Sequence, residues 1–288
     1  MASQRVEAGS RELSDEATEI LRESRRAGTR KAYHHPWQEW VSWCESRQED
    51  PVQASVELMA NFLTEKFQSG VEYRTVNVYR SAISAYHAQV GGQSVGQHHT
   101  ITQLLKGMFN MRPPQPKYSD TWDVEAVLAR FRAMPEDEHL GLRDLSLKLT
   151  MLLALATASR TSELHKLKVS NMTDNGEVVT FQIPELTKTR KVGQGPMVIR
   201  LTPGENDKLD VVACLRAYLG KTRQVRKPGL QGDQLLISFR EPHGPLASSS
   251  VAHWIKTGLQ EAEIDTQRYQ AHSTRAADTS RAAFKGLT

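Results

Sequence analysis

The 288-residue sequence predicts a mainly α protein in two parts, an N-terminal helical bundle and a mixed α+β portion with a small β-sheet. Three observations carry this expectation. Apolar residues recur at helical spacing through most of 29–111. A proline-rich stretch, RPPQPKYSD at 112–120, then breaks the pattern. Beyond it, two short β-prone runs, EVVTFQI (177–183) and MVIRL (197–201), interrupt a further set of helices.

Residues 1–28 mix both charges with little periodicity and read as a flexible arm. Tyr33, Trp37, Trp40, Val41 and Cys44 then form one apolar helical face. Ser55 can cap a second helix, with Val56, Met59, Leu63 and Phe67 on its buried side. A third runs from Tyr73 to Val90 with Val76, Tyr79, Ile83 and Tyr86 aligned, and a fourth carries Ile101, Leu104, Leu105 and Met108. Four helices with short connections make a small bundle over 29–111. Residues 112–120 form a stiff, extended linker, and 121–288 a second domain.

In that second domain, Asp123–Met134 and Leu142–Ala158 read as helices, and Ser162 opens a short one. The two β-prone runs flank PELTKTRKVGQG, a hairpin with a long basic tip. Leu209–Tyr218 predicts another helix, LLISF (235–239) a possible strand, and Ser250 a cap for a helix bearing Val251, Trp254, Ile255 and Leu259. A final helix carries His272 and Arg275.

Composition narrows the function. A hydrophobic fraction of 39% with 24% charged residues fits a folded soluble chain. The net charge of +4 favours an anionic partner, and its distribution says more than its size. Residues 216–230 hold five basic side chains and no acidic one, and 100–118 contain no acid either. Two distant cysteines, Cys44 and Cys214, exclude a disulfide scaffold and zinc-type spacing. The acidic, polar N-terminus is no secretory leader, and the apolar run at 150–158 is too short to span a bilayer. The expectation is an intracellular protein with no membrane role.

Four basic positions in the second domain suit one chemistry. Arg160 lies in ATASRTSELHKL, where an apolar helix breaks and restarts. Lys188 sits at the hairpin tip, and His272 and Arg275 lie three apart on one helical face. Arginine offers paired donors to phosphate oxygens, histidine moves protons near neutrality, and lysine can protonate a leaving alkoxide. Such a set can bind a phosphodiester and stabilise its transition state with no metal and no cofactor.

At these positions the sequence resembles the tyrosine recombinases, or phage-integrase family. ASRTSEL resembles their first-arginine box, LTKTRK the hairpin with their active-site lysine, and AHSTRAADTS their H-x-x-R box. The last is similar to the small-residue form of eukaryotic retroelement and transposon recombinases. The resemblance covers about residues 29 to 288. It implies an N-terminal core-binding (SAM-like) bundle and a catalytic domain that breaks and rejoins DNA through a phosphotyrosine intermediate. It implies that Arg160 and Arg275 bind the scissile phosphate, His272 serves proton transfer and Lys188 is general acid for the 5′ oxygen. Arg190 and Lys191 are the nearest rivals to Lys188, which is preferred because the family's lysine precedes a Thr. Glu163 occupies the place of an acidic residue that supports the arginines, and equally suits a helix first turn.

Duplex DNA is the expected partner, with Arg74, Arg80, Lys106, Arg112, Lys117, Arg190 and Lys191 as contacts beyond the active site. A homo-oligomer on DNA, a tetramer, is implied by the family. A eukaryotic source would place the protein in the nucleus and a bacterial one in the cytoplasm. The family also carries a second His or Trp, and then the nucleophilic Tyr, some tens of residues beyond the H-x-x-R pair. Nothing follows Thr288 here, and neither Tyr218 nor Tyr269 falls at a nucleophile's place. The expectation is therefore a site without its nucleophile, in a fragment of a recombinase or in a relative that binds DNA without cutting it. A helical interaction module with no nucleic-acid role is the remaining alternative.

Overall fold

A computed structural model of the protein describes residues 13–115, 121–204, 207–226 and 233–274. The chain divides into two compact units, Met1–Lys117 and Tyr118–Thr288.

The first unit is helical: α1 (Asp15–Glu23), α2 (Ala27–Glu45), α3 (Val56–Gln68), α4 (Tyr73–Tyr86) and α5 (His99–Met111). Residues 1–28 read as an arm, yet α1 forms within them. Ser14 caps it, Asp15 and Glu16 occupy its first turn and Arg22 its last, all favourable to the helix dipole. None of its residues is buried. Ser55 caps α3 as predicted, its hydroxyl accepting from the Leu58 N–H at 3.3 Å. Trp40, Cys44, Met59, Phe62, Leu63, Val76, Tyr79, Ile83, Ile101 and Met108 fill the core. Phe62 meets Trp40 and Tyr79 edge-on at 5.1 and 5.7 Å. The Glu39 carboxylate ties α2 to its neighbours, accepting from the Tyr79 hydroxyl at 2.6 Å and pairing with Lys66. Helix α4 stops at Tyr86 rather than Val90, which instead bridges to Gln93 across Gly91 and Gly92. Both glycines have positive φ, 59° and 76°, and make the turn that ends the segment.

The second unit comprises α6 (Val124–Ala133), α7 (Leu142–Thr157), α8 (Thr161–Leu164), the strands β1 (Met172–Asp174), β2 (Val179–Ile183) and β3 (Met197–Leu201), α9 (Val211–Thr222) and α10 (Ser248–Glu261). The sheet is antiparallel in the order β1-β2-β3. Val179 faces Leu201 and Phe181 faces Ile199, so alternate residues of the hairpin turn inward. Helix α7 is the centre: every residue from Leu145 to Leu155 is buried, and α9 and α10 both pack on it. Its one buried charge, Lys148, is 0% exposed and pairs with Asp137 at 2.7 Å.

Three further sequence expectations need correction. LLISF is not a strand. Leu235, Leu236 and Ile237 are core residues carried by irregular chain that makes only single bridges, Lys168 to Gln234 and Ile237 to Pro245. A short apolar run reads alike for a buried strand and a buried loop. Helix α10 begins at Ser248, with Ala247 at its cap position, so Ser250 is no cap. Helix α9 is shifted to Val211–Thr222, because Asp210 caps it through the N–H groups of Val212 and Ala213.

Candidate active site

The site begins where the buried helix ends. Thr157, at the last turn of α7, returns its hydroxyl to the Leu153 carbonyl at 2.7 Å. Ala158 follows in the left-handed conformation, φ 47° and ψ 25°, which terminates the helix. The chain then reverses into α8, placing Arg160 at its N-cap. Glu163, 2% exposed as a residue, takes two hydrogen bonds from that one arginine. One carboxylate oxygen accepts from the Arg160 backbone N–H at 2.8 Å, and the other from its guanidinium at 2.8 Å. Glu163 thus satisfies a free N–H of the helix start and holds the Arg160 guanidinium as well. Arg160 keeps 25% of its side chain exposed. Its remaining guanidinium N–H groups have no other protein acceptor among the described residues.

The segment after α8 carries the hairpin loop. Lys166 donates to the Leu186 carbonyl, and Lys168 pairs with Glu185 at 2.5 Å. That hydrogen bond from Lys168 holds the Glu185 carboxyl below its ordinary value. Within the loop, Thr187 is buried and Lys188 is exposed. Arg190 turns into the loop, donating to the carbonyls of Pro184 and, at 3.3 Å, of Gln194. The Lys191 N–H is held by the Gln194 side chain at 2.9 Å, and its own side chain is exposed. Of the three basic residues at the tip, Arg190 shapes the loop while Lys188 and Lys191 face solvent.

The last described turn has the same logic. Ser273 and Thr274 are buried, at 3% and 1% exposure. Their hydroxyls fold back onto the carbonyls of Gln270, at 2.6 Å, and Ala271. His272 lies in the turn just before this helical segment and is exposed. It makes no hydrogen bond or ion pair with Arg160, Glu163 or Lys188. Arg275 lies outside the described residues, as does Lys117 of the first unit. Tyr218 is fully buried, its hydroxyl accepting from the Ile237 N–H at 3.1 Å, and Tyr269 is 8% exposed.

Gln234 carries no local mark in the chain that would single it out. Its amide donates to the carbonyls of His165 and Leu246 and lies 2.6 Å from His165 Nδ1, joining the end of α8 to the chain that enters α10. Lys166 and Lys168 were likewise missed. Their partners lie 17 to 20 residues away along the chain, so no local pattern announces them.

In the first unit the expected DNA contacts separate. Arg112 is turned inward: its guanidinium donates to the carbonyls of Phe67 and Val71 at 2.9 and 2.7 Å and lies 4.0 Å from the Phe67 ring centroid. It closes the C-terminal end of α3, where free carbonyls favour a cation. Arg74 is exposed and reaches the Gln115 carbonyl at 3.4 Å. Lys106 is exposed and Arg80 half-buried. No three His, Cys, Asp or Glu side chains gather into a metal-binding group among the described residues. No helix among them is long and apolar enough to cross a membrane.

The break after α7, the Arg160 and Glu163 pair, and the basic hairpin all fall within residues 125–283, which match the model of the phage integrase family. This chain belongs to the phage integrase family. The match spans more than half of its length. Solved structures agree in fold. The pre-cleavage complex of XerH site-specific recombinase with difH substrate superposes with a TM-score of 0.59 at 14% identity, covering 95% of this chain and 74% of that one. The post-cleavage XerH complex gives 0.54 at 15%, covering 82% and 61%. The Tn1549 transposon integrase with transposon right end DNA gives 0.51 at 15%, covering 82% and 74%. This family member thus spans about three fifths of the XerH chain in the post-cleavage complex. No curated protein sequence matches it.

Proposed function

We propose that this phage-integrase-family chain binds duplex DNA and grips a phosphodiester for breaking and rejoining through a phosphotyrosine intermediate. The observation that carries the reading is Arg160. A buried carboxylate holds it at a helix start, and its other N–H groups have no acceptor among the described residues. A phosphate uses such preorganised donors best where charge grows on its oxygens. In this reading Arg160 and Arg275 hold the two non-bridging oxygens and Glu163 positions Arg160. Lys188 protonates the departing 5′ oxygen, and His272 handles the proton of the attacking hydroxyl. The proposed domain division is an arm at 1–28, a core-binding bundle at 29–111, a linker at 112–120 and a catalytic domain from 121 onward. The H-x-x-R box further suggests the retroelement and transposon branch of the family.

A second reading, DNA binding without strand cleavage by residues 1–288, is favoured by one observation. Tyr218 has its hydroxyl buried and engaged, and Tyr269 is packed into the core. Neither is placed to attack a phosphate. Two assays separate the readings. Titration of duplex DNA over a range of salt should show affinity falling steeply as salt rises, and a flat response with no complex would sink both. A suicide substrate with a nick beside the scissile phosphate then tests cleavage, since a covalent adduct supports the first reading and complex without adduct the second.

A further inference from the structure

The loop that carries Lys188 lies beyond the end of strand pairing: the β2–β3 ladder stops at Ile183 and Met197, and residues 184–196 follow it. The segment leaving α8 reaches this loop from outside. Lys166 donates to the Leu186 carbonyl, and Lys168 pairs with Glu185 at 2.5 Å. Glu185 Oε2 is enclosed and has no hydrogen-bond partner among the described residues, so the carboxylate depends on Lys168, with the charge of Lys166 nearby. The two anchors fall on consecutive residues. Thr187, 3% exposed, comes next, and then Lys188 stands in solvent.

The segment that supplies these anchors is itself fixed. Leu164 and Leu167 are fully buried. The Leu167 carbonyl accepts from the Leu235 N–H at 2.8 Å, and the Val169 N–H donates to the Asp233 carbonyl at 2.7 Å. The Asp233 carboxylate accepts from the N–H and hydroxyl of Ser170 at 2.9 and 2.8 Å. Residues 160–168 thus carry the grip on Arg160 at one end and the grip on the Lys188 loop at the other.

We propose that Lys166 and Lys168 are positioning residues, which seat residues 185–187 against the exit of α8 and so fix where Lys188 stands relative to Arg160. This rests on the reading that Arg160 and Lys188 serve one phosphodiester. A lysine on an untethered loop samples many positions, whereas proton delivery to a leaving oxygen needs one. Lys168 and Glu185 keep 39% and 34% of their side chains exposed, so their pair adds little to global stability and acts on local order.

Spin labels attached through Ser162→Cys and Lys188→Cys in the full chain report the distance between the two elements, with Cys44 and Cys214 buried and unlabelled. Lys166→Met combined with Lys168→Met should broaden the distance distribution while the urea midpoint stays near that of the labelled parent. Lys168→Glu alone should broaden it as well, and adding Glu185→Lys should narrow it again. Arg200→Met, which removes an exposed cation of β3, serves as comparator and should leave it unchanged. An unchanged distribution in the Lys166 and Lys168 variant, or equal broadening in the comparator, overturns the positioning role. So does broadening with a collapsed urea midpoint that the charge exchange does not rescue. Acetylation of Lys188 at saturating duplex DNA, in unlabelled protein, tests the underlying reading. Wild type should show several-fold protection of Lys188, lost in the Lys166→Met and Lys168→Met variant; full protection in that variant counts against positioning. If wild type shows no protection, or forms no complex, the shared-phosphodiester reading falls, and the distances alone decide whether the two lysines tether the loop.

Discussion

Glu163 and Arg160 are joined twice, once through the backbone N–H at 2.8 Å and once through the guanidinium at 2.8 Å. The carboxylate is thus both the start of a helix and the anchor of a cation that reaches solvent. Glu163→Ala leaves a helix N–H and a guanidinium without acceptors and should cost about 1.5–3 kcal/mol in urea unfolding, with Glu163→Gln costing less. DNA affinity should fall in both variants with the salt slope preserved, since no cation is lost. A Glu163→Ala protein as stable as wild type would show that the pair is incidental.

The buried ion pair of α7 should behave in the opposite sense to a surface one. Lys148 is fully buried and its ammonium meets Asp137. Asp137→Ala strands that charge and should cost about 3–5 kcal/mol. Combining it with Lys148→Met should recover much of the loss, because the stranded charge goes with it. Equal stability of the single and double variants in urea would contradict this.

Acid stability should depend on Asp174. Hydrogen bonds from Arg216 and from the Gly176 N–H hold its carboxyl at about 2, against an ordinary 3.8. A folded value below the unfolded one stabilises the protein above the unfolded value, and that gain is lost as pH falls through the folded one. Wild type should therefore exceed Asp174→Asn in thermal midpoint near pH 5, with the gap closing between pH 4 and 2. A gap constant over that range would mean the Arg216 contact does not tune the carboxyl.

Ala158 sits at φ 47°, where a Cβ crowds the following carbonyl. Ala158→Gly should relieve that strain and raise stability by roughly 0.5–1 kcal/mol, offset in part by the greater freedom of glycine in the unfolded chain. A loss on substitution would mean the methyl makes contacts worth more than the strain.

Much of the architecture was legible in the residues. The apolar stripes of α3 and α5, the Ser55 cap and the β2–β3 hairpin are local patterns, and each formed as read. The irregular core chain at 235–239 was not legible, since apolarity reports burial without reporting conformation. The site divides in the same way. Arg160 is legible as a candidate because a buried helix visibly breaks before it, and Glu163 because three residues place it in the first turn. Lys166, Lys168 and Gln234, which fasten α8 to its surroundings, carry no such local mark.

The basic residues show the division most clearly. Composition alone made 100–118 a stretch of cations without acids, and that much is a property of the chain. Arg112, Arg190 and Arg80 then met different fates. The first closes a helix end, the second shapes a loop, and the third is half-buried with its Nε unpartnered beside Gly96. Local periodicity determined where helices form, because burying one face requires only neighbours three and four residues away. Which cations remain for an outside anion was decided by folding. A guanidinium is consumed or left available according to the carbonyls and carboxylates that other segments bring beside it, and no spacing in the chain encodes that proximity.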